Sequence, residues 1–267
     1  MISNILIYVN DINHIDDYRK AGVSAFLFGL EGFCVGYNTY SLDEISKVDV
    51  SNKYILLNRV LDCKDIDALK EIITNISGVT GLVFEDIGVY NLVKDLNLGI
   101  ELILFQNHFG TNTKSINFWL DRVDSMFVSN EITKEQISTI VDNVSKSVVL
   151  HLYGYNQVMY SRRLLLTNWS EEFDIPNKNT NVIVDRATKV KFRAIENEFG
   201  TVMYSDKIFN GKELLGLNNV KFYYVNTMLV DHSDVIDFLT NVNHMSDNED
   251  NGFLDRETIY KLKERNK

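Results

Sequence analysis

The chain has 267 residues, 45% hydrophobic and 24% charged, with a formal net charge of −10. That balance suits a globular protein whose core is large enough to fold without disulfides or metal; the acidic charge argues against broad nucleic-acid binding, so RNA is not favoured as a partner. No apolar run approaches the roughly 18 residues of a membrane span, so no membrane association is expected. The start, M-I-S-N-I-L-I-Y-V-N, has no basic flank or small-residue cleavage site and reads as a first strand. Two cysteines, Cys34 and Cys63, form no ligand spacing and read as reduced thiols of a cytoplasmic protein.

Short apolar runs, rich in β-branched and aromatic residues, recur along the chain as expected of strands buried on both faces. They occupy 5–9, 25–28, 54–57, 81–84, 101–105, 125–128, 147–152 and 221–225. Between them lie helical patterns. Ile66, Leu69, Ile72, Ile73 and Ile76 share one face and stop at Gly78. Ile116, Trp119 and Leu120 form a shorter stripe, and Thr133 with Gln136 predicts a capping box before Ile137, Ile140, Val141 and Val144. Val235, Ile236, Leu239 and Val242 form the last strong stripe. The Gly-, Tyr- and Phe-rich stretch 29–41 reads as a loop or an extra strand.

Strands alternating with helices predict a parallel α/β sheet. The simplest closure is an eight-stranded parallel (β/α) TIM-like barrel; a doubly wound open sheet is the alternative. The alternation breaks between the seventh and eighth runs. There, 182–185, 189–195 and 201–204 predict a small antiparallel insertion. The expected organisation is a barrel from 1–153 and 220–243, an inserted module on its rim at 154–219, and a polar tail at 244–267. The tail's acidic part, H-M-S-D-N-E-D-N-G, is expected to be mobile; 253–267 is expected as either a helix or a terminal strand.

In such barrels the chemistry sits at the strand C-terminal ends. Polar residues there are Asn58, Arg59, Glu85, Asp86, Gln106, Asn107, Asn130, Glu131, Tyr153 and Asn226. The stretch 152–169, L-Y-G-Y-N-Q-V-M-Y-S-R-R-L-L-L-T-N-W, adds Tyr160, Ser161, Arg162 and Arg163 in what reads as a short connection. A guanidinium pair suits carboxylate or phosphate. The candidate ligand site is therefore Arg162, Arg163, Tyr153, Tyr160, Ser161, Asn58, Asp86, Gln106 and Glu131, and its ligand a small anion. Asp86 has a competing reading as a helix cap, and so have Asn130 and Glu131. His151 reads as structural. No G-x-S-x-G elbow, H-E-x-x-H or phosphate-binding glycine loop is present, so no catalytic set and no cofactor or metal is assigned.

The same stretch resembles the signature H-G-x-x-C-x-x-Y-S-G-R-C of the collagenase-like peptidase family U32. Further pieces resemble the family in order: A-G-V-S-A-F-L-F-G from Ala21, Leu57-Asn58-Arg59, G-L-V-F-E-D-I-G from Gly81, the run from Gln106 through Trp119, Val128–Ile132, and Glu198-Phe199-Gly200-Thr201 with Ser205-Asp206. The resemblance implies an α/β barrel and a hydrolase of the peptidase class. It also implies relatives that hydroxylate RNA bases or a quinone precursor with a four-cysteine iron–sulfur cluster. This chain departs from the pattern: Tyr153 stands at the family's histidine, Arg162 at its glycine, and Gln157 and Leu164 at its cysteines. Two cysteines are too few for an all-thiolate cluster. The expectation is a divergent member, nominally a peptidase but without visible protease machinery. The alternative is a non-catalytic partner subunit for a cluster-bearing paralogue in RNA or small-molecule hydroxylation.

Overall fold

Each apolar run of the sequence forms a strand in the computed structural model, which describes residues 2–74, 76–106, 108–241 and 245–256. The first half of the chain alternates strand and helix, apart from the short β3 after β2. It runs β1 (Ile5–Tyr8), α1 (Ile15–Lys20), β2 (Ala25–Leu30), a short β3 (Thr39–Tyr40), α2 (Leu42–Lys47), β4 (Lys53–Leu57), α3 (Cys63–Ile73), β5 (Gly81–Phe84), α4 (Ile87–Asp95), β6 (Glu101–Leu104), α5 (Thr113–Leu120), β7 (Ser125–Met126) and α6 (Lys134–Asn143). Then come β8 (Val148–Ser161), α7 (Leu165–Glu172), β9 (Thr180–Val184), β10 (Lys191–Asn197), β11 (Gly200–Asn210), β12 (Val220–Val225), α8 (His232–Thr240) and β13 (Glu249–Asp250). The fold is mixed α/β around one large sheet. Its order is β7-β6-β5-β4-β2-β1-β12-β8-β11-β10-β9, with β3 on β2 and β13 on β11.

Local chemistry sets the helix starts. Ser41, Asp62 and Thr133 each cap a helix with a reciprocal bond from the third residue on, as Thr133 and Gln136 predict from spacing alone. Asn112 and Asp86 cap α5 and α4 through single side-chain oxygens.

From β7 to β8 every ladder is parallel. Two apolar clusters sandwich these strands. One lies between strands and helices. The other gathers alternate residues from all eight parallel strands or their immediate ends: Leu6, Leu27, Leu56, Val83, Ile103, Phe127, Val149 and Tyr224 among them. Between β7 and β8 there is no ladder but a single parallel bridge, Phe127 with Val149, and the Val128 amide donates to the Val149 carbonyl at 3.0 Å.

The stretch 152–169, read from sequence as a short connection, is a strand followed by a helix. β8 continues unbroken to Ser161, exchanging its parallel partner β12 for the antiparallel β11. Gly154 makes the turn-over possible. Its φ is +117°, and a Cβ there would lie 2.1 Å from the Asn226 carbonyl oxygen, so only glycine fits. Beyond it β11, β10 and β9 form the antiparallel part of the sheet.

The acidic stretch supplies β13, which pairs parallel to β11. Glu249 anchors it by accepting from the Tyr153 hydroxyl at 3.0 Å and the Asn210 amide at 2.6 Å. Asn107, His244 and residues 257–267 lie outside the described residues. Among the described residues no helix is long and apolar enough to cross a membrane.

Candidate functional site

Polar residues buried just beyond the C-terminal ends of the parallel strands include Asn58, Asn226 and Thr227. Glu85 directly follows β5, and its amide extends the ladder by donating to Leu57 at 3.0 Å. Its carbonyl accepts from Gln106 Nε2 at 3.2 Å, but no described residue hydrogen-bonds its carboxyl group. Burial pushes that carboxyl up to about 8, because the ionised form loses much of its hydration and gains no protein donor in its place. The side chain nevertheless keeps partial access to solvent. Its charge would reach Cys34, Tyr37 and Tyr204, raising all three. Glu85 is therefore a largely neutral carboxylic acid at pH 7, able to donate a hydrogen bond or move a proton.

A tight recess of about 10 Å³, room for about one water, is lined by Tyr37, Phe105, Asn130, His151, Tyr155, Gln157, Tyr224 and Asn226. His151 Nε2 stands 3.0 Å from the Tyr153 carbonyl, which must accept, so the proton sits on Nε2. Nδ1 then accepts from Asn130 Nδ2 at 3.1 Å, and the same amide donates to Asn156 at 2.6 Å. Burial lowers His151 to about 4, partly offset by its bond to Tyr153, so the ring is neutral. Burial also pushes the phenols of Tyr8, Tyr37, Tyr204 and Tyr224 up, and they stay protonated. One lining atom, Gln157 Oε1, is buried without a partner, while the hydroxyls of Tyr37 and Tyr224 hydrogen-bond each other.

The residues expected to form the site do not come together. Arg162 and Arg163 are exposed, and no described residue hydrogen-bonds or ion-pairs with either guanidinium. Ser161 Oγ accepts the Arg163 amide, and the Tyr160 hydroxyl donates to the Phe199 carbonyl at 3.3 Å. Tyr153 is buried in the helical layer, stacked on Phe238 with ring centroids 4.0 Å apart. Asn58 clamps Val35 by two backbone bonds. Asp86 caps α4 and also accepts the Leu61 amide. Glu131 pairs with His108 at 3.2 Å. Of the nine, Gln106 hydrogen-bonds Glu85, through the Glu85 backbone carbonyl.

The candidate residues that sequence missed are Tyr37, Tyr155, Gln157 and Tyr224 in the recess lining and Arg193 next to Tyr155. The Arg193 guanidinium carbon lies 4.7 Å from the centroid of the Tyr155 ring. Glu85, Asn130 and Asn226 were visible as polar strand ends. Nothing in a single sequence singles out Arg193 on an antiparallel strand.

Peptidase family U32 matches the sequence over residues 41–222, more than half of the chain. The chain belongs to peptidase family U32. No curated protein matches it. Among solved structures it is similar to the U32 peptidase Mk0906, at 14% identity over 57% of this chain and 69% of that one, with a TM-score of 0.42. It is also similar to a chitinase from Chromobacterium violaceum (9% identity, 91% of this chain and 100% of that one, TM-score 0.43). The Bacillus cereus spore cortex-lytic enzyme SleL matches at 8% identity, over 89% of this chain and 74% of that one, with a TM-score of 0.44.

The cluster of the family's cysteine-bearing members does not fit the residues of this U32 member. The chain has two cysteines in all. Cys34 is buried, its thiol donating to the Leu56 carbonyl at 2.9 Å and its pKa pushed up to about 12 by burial, while Cys63 is exposed at the start of α3. Among the described residues no group of three or more His, Cys, Asp or Glu is placed to hold a metal ion.

Proposed function

We propose that this member of family U32 is a ligand-binding protein, and that the polar groups at the strand ends around Glu85 bind a small polar molecule. The observation that carries the reading is Glu85 itself: a partly buried carboxyl that no described residue hydrogen-bonds, raised to about 8 by desolvation, at the end of a central strand. A strongly shifted carboxyl at a strand end supports a binding role. Peptidase chemistry finds little support. Cys34 is pinned as a thiol, and no serine, threonine or lysine stands beside Glu85 or His151 as a nucleophile among the recess residues.

The finer architecture belongs to the same reading. We take the eight parallel strands as a closed (β/α) barrel, with 154–219 as an antiparallel module on its rim. The interior cluster drawn from all eight strands and the Phe127–Val149 bridge support closure. A cytoplasmic setting is proposed from the two unpaired cysteines.

Native mass spectrometry of protein prepared from its own host tests the reading. The wild type should retain a small molecule, and Glu85→Leu should lose it while keeping its circular dichroism. No retained mass, or equal retention by the variant, would refute it.

A second reading, a partner subunit for a cluster-bearing paralogue, rests on the outer edge of the antiparallel strands. β9 ends the sheet with a free backbone edge. Val182, Ile183 and Val184 on it are exposed, near Trp169 at 47%. Such an edge is a template for strand addition. Val184→Lys should abolish co-purification with the paralogue; unaltered co-purification, or none with the wild type, would remove this reading.

A further inference from the structure

Among the described residues nothing pairs with the outer edge of β9. The Asn179 carbonyl accepts from the Glu196 amide at 2.8 Å, and the Asp185 amide donates to the Val190 carbonyl at 2.9 Å. Antiparallel ladders alternate bonded and non-bonded pairs, so the odd-numbered residues bond β10. Thr180, Val182 and Val184 therefore turn their amides and carbonyls outward. The Val182 amide is held by the neighbouring Asn181 side chain at 2.9 Å, a local contact that an added strand displaces. Natural edge strands are commonly blunted by a charge, a proline or a bulge. β9 reads T-N-V-I-V, and its register on β10 runs without a shift.

The edge opens on a groove of about 430 Å³ between β9 and α7. Asn181 and Ile183 are in register with Ala194 and Phe192, so they share the β10 face on which Glu196 holds the first amides of α7. Leu165, Leu166 and Trp169 form the opposite wall. A strand added in the plane of the sheet would cover this apolar surface and satisfy the outward backbone groups together. Arg186 is the charged residue of the lining, and no described residue forms an ion pair with it. Its neighbour Asp185 is turned to the amides of Ala187 and Thr188. Lys178 flanks the other end of β9, also without a described ion pair. The acids of α7, Glu171 and Glu172, follow Trp169 and are not part of the lining.

These cations make a second copy a poor occupant. Pairing β9 with itself about a two-fold axis at Val182 joins all three outward-facing residues. It also sets Lys178 of each copy opposite Arg186 of the other, and like charges directly opposite are destabilising. Acids at the same two places on another chain would be attracted instead.

We propose that the β9 edge binds an extended segment of another protein, about nine residues long, with β-branched residues at its centre and an acid at each end. The length is that of the strand between Lys178 and Arg186, roughly 27 Å. The proposal rests on the reading of β9 as a docking edge, and it adds the chemistry of the partner. The backbone ladder supplies affinity, the groove takes alternate apolar side chains, and the two cations select the acids.

The test is fluorescence anisotropy with a fluorescein-labelled nonapeptide, D-T-V-T-V-T-V-T-D, amidated at its C-terminus. It should bind saturably, and the same peptide with lysine at both ends at least 10-fold more weakly. Val182→Pro removes an outward amide but no bond to β10, and should weaken the acidic peptide at least 10-fold. Arg186→Glu, with an unchanged denaturation midpoint, should narrow the preference for acid over lysine at least several-fold. No saturable binding, equal binding of the two peptides, or unchanged binding to Val182→Pro would each overturn the proposal. So would a native dimer that Val182→Pro disperses, because a second copy would then hold the edge. If the peptide fails while a paralogue still co-purifies and is lost from Val184→Lys, the acidic chemistry alone falls. If neither binds, β9 is not a docking edge.

Discussion

Replacing Glu196 with Gln should destabilise the protein by about 2–3 kcal/mol, the scale of lost hydrogen bonds to a charged group. Glu196, on β10, is only 4% exposed, yet it is ionised. It takes the place of a missing cap, since Leu164 gives α7 no side-chain cap. One carboxylate oxygen accepts from the Leu166 amide at 2.7 Å and the Thr201 hydroxyl at 2.5 Å; the other accepts from the Thr167 amide at 2.9 Å and hydroxyl at 2.5 Å. Burial alone would raise its pKa, but these bonds together with the charge-seeking helix start hold it below 4.5. In glutamine an NH₂ group must face one of the two backbone amides, and an amide N–H cannot turn away as a hydroxyl can. The sign of the acid dependence follows. With the folded value depressed, the stabilisation is present above the unfolded carboxylate range and disappears as pH falls through the folded value. Urea denaturation at pH 7 and at steps down to pH 3 reads both effects. Wild type should lose stability more steeply than Glu196→Gln below about pH 4.5. A change under about 0.5 kcal/mol at pH 7, within the range of ordinary surface substitutions, or identical acid slopes, would refute the trans-capping account.

Three further outcomes are expected. Gly154→Ala should cost about 3 kcal/mol or more, from a positive φ and a clash with the Asn226 carbonyl, and is read by a fall in the urea midpoint; a neutral substitution would show that β8 does not pass over β12 as described. Native protein should react with one equivalent of a thiol reagent at Cys63, with Cys34 reacting only on unfolding, because it is buried and its pKa is pushed up to about 12; two fast thiols would contradict this. His151, lowered to about 4, contributes stability that is present above its unfolded value of about 6.5 and is lost as pH falls through about 4. His151→Gln should flatten that slope, and an unchanged slope would place the proton elsewhere.

The parallel strands were legible because burial on both faces leaves continuous apolar runs, such as Gly81–Phe84, that need no partner to be recognised. The capping box at Thr133 was legible because its chemistry is local in sequence. The long β8 was not, because its second half is half-polar and gains its ladder only when β11 folds back against it. β13 was hidden for a similar reason: its acidic composition reads as solvated, and its order comes from Tyr153 and Asn210, distant in sequence. At the site, strand-end position pointed to Glu85, Gln106 and Asn130. The arginine pair drew attention by its charge, whereas the arginine over the recess is Arg193, carried there by cross-strand register that one sequence does not encode.

The most direct measurement is the ionisation of Glu85. Carbon-13 carboxyl resonances of the folded protein, with the Glu85 signal assigned by its absence in Glu85→Gln, give its midpoint. The account predicts about 8, with burial as the cause. A folded value raised in this way implies stability that is full below the unfolded carboxylate range, declines as pH rises through about 8, and loses that decline in Glu85→Gln. An ordinary midpoint near 4.3 would mean that Glu85 is a solvated carboxylate, and the strand-end site would lose the acid on which its proposed function rests.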